Sequence, residues 1–437
     1  MIYISNTKFL MLEKIIRLFL SFGMTILLAN YLGPSDFGLL NYAISFVMLF
    51  AVISSFALDK LIPKDVVMYN EKEELIIATT LMLRLIGGFL MIILSMLIIY
   101  LYKPDDKLLI MMVFILSTGY IFRSFEVIKF WFEAKVKSLY SSIAQTIALV
   151  LSTLIKIYLI YFNYPVEYFA MAMAIEYLFL SVLLLYMYNK FVKLKTLFDN
   201  SYIEMKRILI NAFPLILASA LYTVYTKIDQ IMIENIISIE AVGLYAAATK
   251  ISEGWFFIPA VIATSFYPAI LTSKKNGNIV EYKERIQHLL NIMVFISVVA
   301  GIGITIISEE LIGFLYADSY SSSYLVLIIH VWGGLFVAMS GIVYRVLIAE
   351  NLQKYSFYRG LVGLLVNIGL NYILIPKYGI NGAAVATVIS QFFALYLFNV
   401  TNEKTREIFY MQTKAFNPME IAKTLIYLKE MRIKNES

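Results

Sequence analysis

Residues 9–58 read FLMLEKIIRLFLSFGMTILLANYLGPSDFGLLNYAISFVMLFAVISSFAL. Two apolar runs flank the turn Gly33-Pro34-Ser35-Asp36, and each is long enough to cross a bilayer core about 30 Å thick, which takes roughly 20 residues of helix. Pro34 has no amide hydrogen and disfavours helix at the residue before it, so the first helix stops there. Asp36 stands just ahead of the second run, where a side-chain oxygen caps free amides. The segment reads as helix, tight turn, helix, and the same grammar recurs to about residue 400.

Composition agrees. Of 437 residues 61% are hydrophobic and 15% charged, with a mean hydropathy of +0.79; ordinary soluble domains hold roughly 45–50% and about 25%. Backbone polar groups cannot stay bare in lipid, so such a chain spans as helices or as a closed barrel. The apolar runs are continuous rather than alternating, which selects helices. Spans are expected at roughly 9–31, 38–58, 75–101, 108–131, 138–162, 166–189, 208–234, 240–271, 286–307, 323–349, 355–375 and 380–400. The expected fold class is an all-α membrane protein, with about twelve transmembrane helices in two pseudo-symmetric six-helix bundles around a central cavity. The bundles would be 1–190 and 208–400, with a cytoplasmic linker at 191–207 and a basic cytoplasmic tail at 401–437. No small-residue cleavage site follows a short apolar segment near the start, so the first helix is read as retained.

Basic residues in loops cluster on the cytoplasmic side of a membrane protein. With the N-terminus inside, twenty-five Lys and Arg fall in inner segments and only Lys103, Lys107 and Lys377 in outer ones. Both termini are therefore expected inside, which requires an even number of spans. The net charge of +6 thus reflects topology and implies no nucleic-acid partner. Cysteine is absent and histidine is limited to His288 and His330, so no disulfide framework, thiolate nucleophile or Cys/His metal site is expected. No nucleotide-binding loop is present, and no cofactor is implied.

A faint repeat supports two halves. Phe37-Gly38-Leu39-Leu40-Asn41-Tyr42-Ala43 opens the second span, and Val242-Gly243-Leu244-Tyr245-Ala246-Ala247-Ala248 opens the eighth. Repeats of like orientation are related by an axis along the membrane normal, with substrate handled between them near the midplane. Further segments extend the pattern: Phe213-Pro214, Lys227-Ile228-Asp229-Gln230, Ser265-Phe266-Tyr267-Pro268, and Ile375-Pro376-Lys377-Tyr378-Gly379-Ile380-Asn381-Gly382. Together with Tyr31-Leu32-Gly33-Pro34-Ser35-Asp36-Phe37-Gly38, the chain resembles the polysaccharide-exporter branch of the multidrug/oligosaccharidyl-lipid/polysaccharide flippase superfamily. The resemblance covers all but the tail. It implies a flippase, not an enzyme, for undecaprenyl-pyrophosphate-linked oligosaccharide of the O-antigen or capsule kind, in the bacterial inner membrane. Membrane lipids and other polysaccharide-assembly proteins would be its partners.

Charged residues inside spans are costly and face a bundle interior or a wet cavity. The substrate-binding candidates are Lys14, Arg17, Arg84, Arg123, Lys227 and Lys250, because Arg offers phosphate a bidentate fork and Lys a point charge. Lys156 and Arg345, near helix ends, are expected to snorkel. Glu13 with Arg17, Arg123 with Glu126, and Lys250 with Glu253 are spaced to pair on one helix face; Arg84 has no acid nearby in sequence. Superfamily members often couple transport to an ion gradient, which makes Asp229, Glu253, Glu176 and Glu13 the candidate ion carriers. Glu176 lacks a local cation, and burial favours its protonated form. His330 could titrate, although a lone helix histidine is more often a packing residue. The tail is expected to lie on the inner leaflet, drawn by anionic lipid. Two alternatives share the fold: a multidrug/cation antiporter, for which an acidic or neutral cavity is expected, and a lipid-linked peptidoglycan-precursor flippase.

Overall fold

The computed structural model describes the backbone of residues 2–59, 61–193, 196–197 and 201–436, with side chains apart from 2–12, 14–15, 269 and 428–436. Among the described residues the chain is helical and contains no strand. Ten helical stretches are long and apolar enough to cross a membrane. Two of them are double length. Ile16–Ser55 has 40 residues and Lys354–Val400 has 47, about 60 and 70 Å at 1.5 Å per residue, twice the bilayer core. Each is broken by a glycine in a non-helical conformation: Gly33 (φ 68°, ψ 173°) and Gly379 (φ 59°, ψ −142°). Ten stretches with two internal breaks give twelve spans.

We number them α1 (2–32), α2 (34–55), α3 (Asn70–Tyr102), α4 (Lys107–Ala134), α5 (Ser138–Tyr161), α6 (Val166–Tyr188), α7 (Tyr202–Ile236), α8 (Ile239–Lys275), α9 (Ile279–Leu315), α10 (Ser323–Ala349), α11 (354–378) and α12 (380–400). Two more helices follow, α13 (Glu403–Lys414) and α14 (Pro418–Glu436). Caps mark several starts: Asp106 accepts from the Leu109 amide at 3.0 Å, Ser238 from Ala241 at 3.2 Å and Asn278 from Glu281 at 3.1 Å, each satisfying an amide that its own helix cannot reach.

Chain contacts divide the molecule into two compact units, Met1–Ile231 and Met232–Ser437. The division falls inside α7, because the first turns of that helix belong to the first unit. Ile208 and Ala212 are fully buried in its core, and Arg207 pairs with Asp65 at 2.8 Å and with Glu204. Trp131, Phe132, Tyr188 and Leu184 lie in the same core, with Tyr140 against it and the exposed Phe191 ring edge-on to Tyr140 at 5.0 Å. In the second unit Leu290, Met293, Met339 and Leu347 are fully buried, with Ile408 and Ala415 of α13 packed into the same cluster. Some spans are not continuous helices. α4 is interrupted by a tight turn at Ser124–Glu126, α8 between Gly254 and Phe257, and α10 between His330 and Gly333. After Gln391, α12 becomes a π turn (Phe392–Tyr396) and then a 3-10 turn (Leu397–Val400).

One side of the tail packs within the second unit, where Thr405, Gln412, Ala415 and Thr424 are buried. Tyr282 and Lys274 also converge there, on Glu350, at 2.8 and 2.7 Å. Burial alone would raise the Glu350 carboxyl, but these two donors outweigh it and hold it below the ordinary carboxylate range.

Two outcomes follow from these contacts. Gly33→Ala places a side chain in a backbone region essentially reserved for glycine, at a cost of order 1–3 kcal/mol; it should lower the thermal midpoint in detergent, whereas Gly23→Ala, which meets open space, should not. A carboxyl whose pKa is lowered on folding stabilises fully above about pH 5 and loses that contribution as pH falls through the lowered value. Thermal midpoints measured down to acid pH should therefore fall less steeply for Glu350→Gln than for the unmodified chain.

Candidate functional site

The break in α4 gathers the first unit's charges. A tight turn leaves backbone groups without helical partners and redirects the side chains around it, here Arg123 and Glu126. Glu126 accepts from Arg123 Nε at 3.2 Å and meets Arg84 of α3 at 3.6 Å. Arg84 is 4% exposed and lies over the Phe130 ring at 5.7 Å. The acid that sequence spacing could not assign to Arg84 thus comes from the neighbouring helix. Two guanidinium groups share one carboxylate, so the triad keeps one positive charge. Arg123 carries it outward: its side chain is 36% exposed, with its guanidinium over the rings of Tyr120 at 5.2 Å and Tyr177 at 5.4 Å. Its Nε donates to Glu126, and the guanidinium also hydrogen-bonds the Tyr120 side chain, so the partly exposed fork is shared between an acid and a phenol. Arg paired this way stays charged at all working pH.

Two further pairs in this unit are neutralised locally. Glu13 is buried, meets Arg17 at 3.4 Å and accepts from Ser142 at 3.0 Å and Thr146 at 2.9 Å. Arg17 also donates to Gln145 at 2.5 Å. Together these tie α1 to α5, as the expected Glu13–Arg17 pairing requires. The side chain of Lys14 lies outside the described residues. Lys156 does not snorkel: it is 6% exposed and bonds Glu176 of α6 at 3.3 Å, so Glu176 has a cation that its own helix does not supply. On α7, Asp229 is buried and Lys227 partly so.

In the second unit, the expected Lys250–Glu253 pair is not formed: among the described residues neither has an ion-pair partner, and Glu253 is exposed. Both stand in the last turns of the helix before the α8 break. His330 is buried, at the end of the first half of α10, with Nδ1 2.5 Å from Ser252 Oγ. Arg345 donates to Gly341 O at 2.7 Å and Thr264 Oγ1 at 2.8 Å instead of reaching to an interface. Arg359, which the sequence reading assigned to an inner loop, is 3% exposed and is held by neutral oxygens alone. Among the described residues no group of three or more His, Asp or Glu could hold a metal ion.

Sequence reasoning missed the two tyrosines around Arg123. Tyr120 was legible as the residue one turn ahead of it; Tyr177 was not, because it arrives from α6.

Comparison with known proteins bears on the whole chain. The family described as polysaccharide biosynthesis protein matches residues 4–274, more than half of the sequence. The chain belongs to this family. A second family, MatE, matches residues 214–373, so the resemblance read from the turn motifs holds: this is a member of the polysaccharide-exporter branch of the superfamily. The capsular polysaccharide biosynthesis protein CapF of Staphylococcus aureus is 26% identical over 207 residues, which span 47% of this chain and 52% of CapF. A Haloferax volcanii protein named "Probable flippase AglR" is 27% identical over 169 residues, 38% of this chain and 35% of AglR. The chain thus aligns with about half the length of the first relative and about a third of the second. Among solved structures, an inward-facing multidrug resistance MATE family transporter matches with a TM-score of 0.73 at 14% identity, over 92% of this chain and 96% of that one. The lipid II flippase MurJ, inward closed, matches with a TM-score of 0.70 at 16% identity, over 98% and 92%. These likenesses establish the fold.

Removing the shared carboxylate leaves two uncompensated cations, and breaking a buried pair in this way costs about 3–5 kcal/mol. Glu126→Ala should therefore sharply lower the thermal midpoint and the membrane yield. Adding Arg84→Met should recover part of the loss; a double variant no better than the single one would show that Arg84 does not depend on Glu126.

Proposed function

We propose that the protein is a flippase that moves an undecaprenyl-pyrophosphate-linked oligosaccharide, the repeat unit of an O-antigen or capsule, across the bacterial inner membrane by alternating access. The single observation that supports this reading most is the Arg84–Glu126–Arg123 triad. It keeps one fixed positive charge inside a membrane-spanning unit and presents it on a partly exposed fork between two tyrosines. A diphosphate head group matches that fork in charge and in bidentate geometry, and sugar rings match tyrosine faces. The family membership and the flippase and capsule names among its relatives point the same way.

In this reading the halves 1–190 and 208–400 act as the two moving bodies, the heavily basic end faces the cytoplasm, and both termini lie there. Arg17, with Lys14, would receive the head group near the inner leaflet, Arg84 and Arg123 would hold it deeper, and Lys227 and Lys250 would form a later station. Glu13 and Glu176 have cation partners in this structure, and together with Asp229 and Glu253 they are the acids proposed to exchange a coupling ion. The rival reading as a cation-expelling antiporter fits less well, because a surplus guanidinium repels cations. The likeness to MurJ keeps a peptidoglycan-precursor flippase as a second reading.

The test is complementation of a strain that lacks its own O-antigen or capsule flippase and makes the cognate repeat unit. The unmodified chain should restore surface polysaccharide. Arg123→Ala should reduce it about tenfold or more, the loss of roughly one charge-assisted contact, and Arg123→Lys should retain part, all at equal membrane abundance. Full restoration by Arg123→Ala would remove the triad from the substrate path. No restoration by the well-inserted unmodified chain would remove the flippase assignment.

A further inference from the structure

α12 does not end as an α-helix, and that ending is where the tail attaches. A π turn frees carbonyls from the helical ladder, and in a membrane protein such groups must find donors within the protein. Three elements supply them. Arg359, from the first turn of α11, donates Nε to Ala394 O at 3.1 Å and Nη2 to Leu395 O at 3.2 Å, with Ser340 of α10 as its third acceptor at 3.1 Å. Asn399 of α12 donates to Leu395 O at 3.2 Å. Gln412, fully buried on α13, donates to the same carbonyl at 3.1 Å and accepts from Asn399 at 2.7 Å. The Tyr396 ring meets Phe409 at a tilt, 4.9 Å between centroids, and Phe416 edge-to-face at 5.7 Å.

The far side of the tail is pinned to α9. Gln287 donates to Met411 O at 3.1 Å, and Asn291 to Glu420 O at 3.1 Å and Thr424 Oγ1 at 2.8 Å. His288 lies 2.8 Å from Thr424 and stacks on Tyr427 at 4.7 Å, nearly parallel. A cleft of about 560 Å³ lies between α9 and the tail, and three lysines (Lys283, Lys414, Lys423) face three carboxylates (Glu284, Glu407, Glu420) in its lining; Lys283 pairs with Glu407 at 2.5 Å, and Glu420 takes both Lys414 and Lys423. The cleft therefore carries no surplus charge for an anionic lipid surface to attract, while the buried polar bonds face inward.

We infer that residues 403–427 form a brace that clamps the distorted end of α12 to α9 within the second unit, and that lipid charge does not hold this tail in place. The brace stabilises the π turn, because Gln412 and Arg359 are the donors from outside α12 on its freed carbonyls. This inference does not rest on the flippase reading, and its test does not use transport.

The chain has no cysteine, so single thiols report cleanly. Thr424→Cys, at a buried position, and Met419→Cys, at an exposed one on the same helix, are reacted with a water-soluble maleimide in nanodiscs of phosphatidylcholine alone and with added phosphatidylglycerol. A brace opens only by local unfolding, so Thr424→Cys should react about tenfold or more slowly than Met419→Cys, equally in both lipids. Equal rates at the two positions, or slow reaction that disappears without phosphatidylglycerol, would overturn the brace. Adding Gln412→Ala and Asn291→Ala should abolish the protection in folded, monodisperse protein. Hydrogen exchange of the unmodified chain provides a check free of substitutions: amides of 405–415 should exchange slowly in both lipids, and fast exchange throughout would sink the idea.

Discussion

Lipid offers no hydrogen bonds, and nearly every unusual feature of this chain traces back to that. An unbroken helix satisfies its own backbone; a broken one must borrow donors or acceptors. The breaks here do not lie in plain hydrocarbon-facing stretches. The Ser124–Glu126 turn stands beside Arg123 and Glu126, the α8 break follows Lys250 and Glu253, the α10 break follows His330, and the π turn of α12 is filled by Arg359 and Gln412. Charged or polar side chains and irregular backbone occur together because each makes the other tolerable in a low-dielectric interior.

The architecture was largely legible in the sequence because its causes are local. Gly33-Pro34 and Gly379 stop helices through backbone conformations that any reader of the chain can anticipate, and the length of an apolar run is set by bilayer thickness. The interruptions inside α8 and α10 are marked only by breakers set within apolar runs, Gly254 and Pro259 around the first and Gly333-Gly334 after the second. Long helices tolerate such residues, so the sequence offers the breaks without fixing them.

Charge pairing was legible only within a helix turn. Glu13–Arg17 and Arg123–Glu126 form as their spacing suggests. Arg84–Glu126 and Lys156–Glu176 join different helices, so sequence distance conceals them. Lys250–Glu253 has the right spacing, yet the pair is not formed. The packing of the tail was hidden for a related reason: Glu407 reaches Lys283 of α9, Glu420 holds Lys414 and Lys423, and Gln412 is buried.

The Arg123 fork has a kinetic corollary. A guanidinium between two rings keeps its proton at every physiological pH, so an anion seated there cannot be discharged by titrating its host. It can be dislodged only by a competitor, and one is already in contact: Glu126 is a permanently tethered carboxylate at a high effective concentration. In the proposed flippase cycle an anionic guest would share the guanidinium with Glu126, and the tethered acid would compete with it for the same charge. Lengthening the reach of that acid by one methylene, or shortening it, would change how long the guest stays without changing the charge of the site.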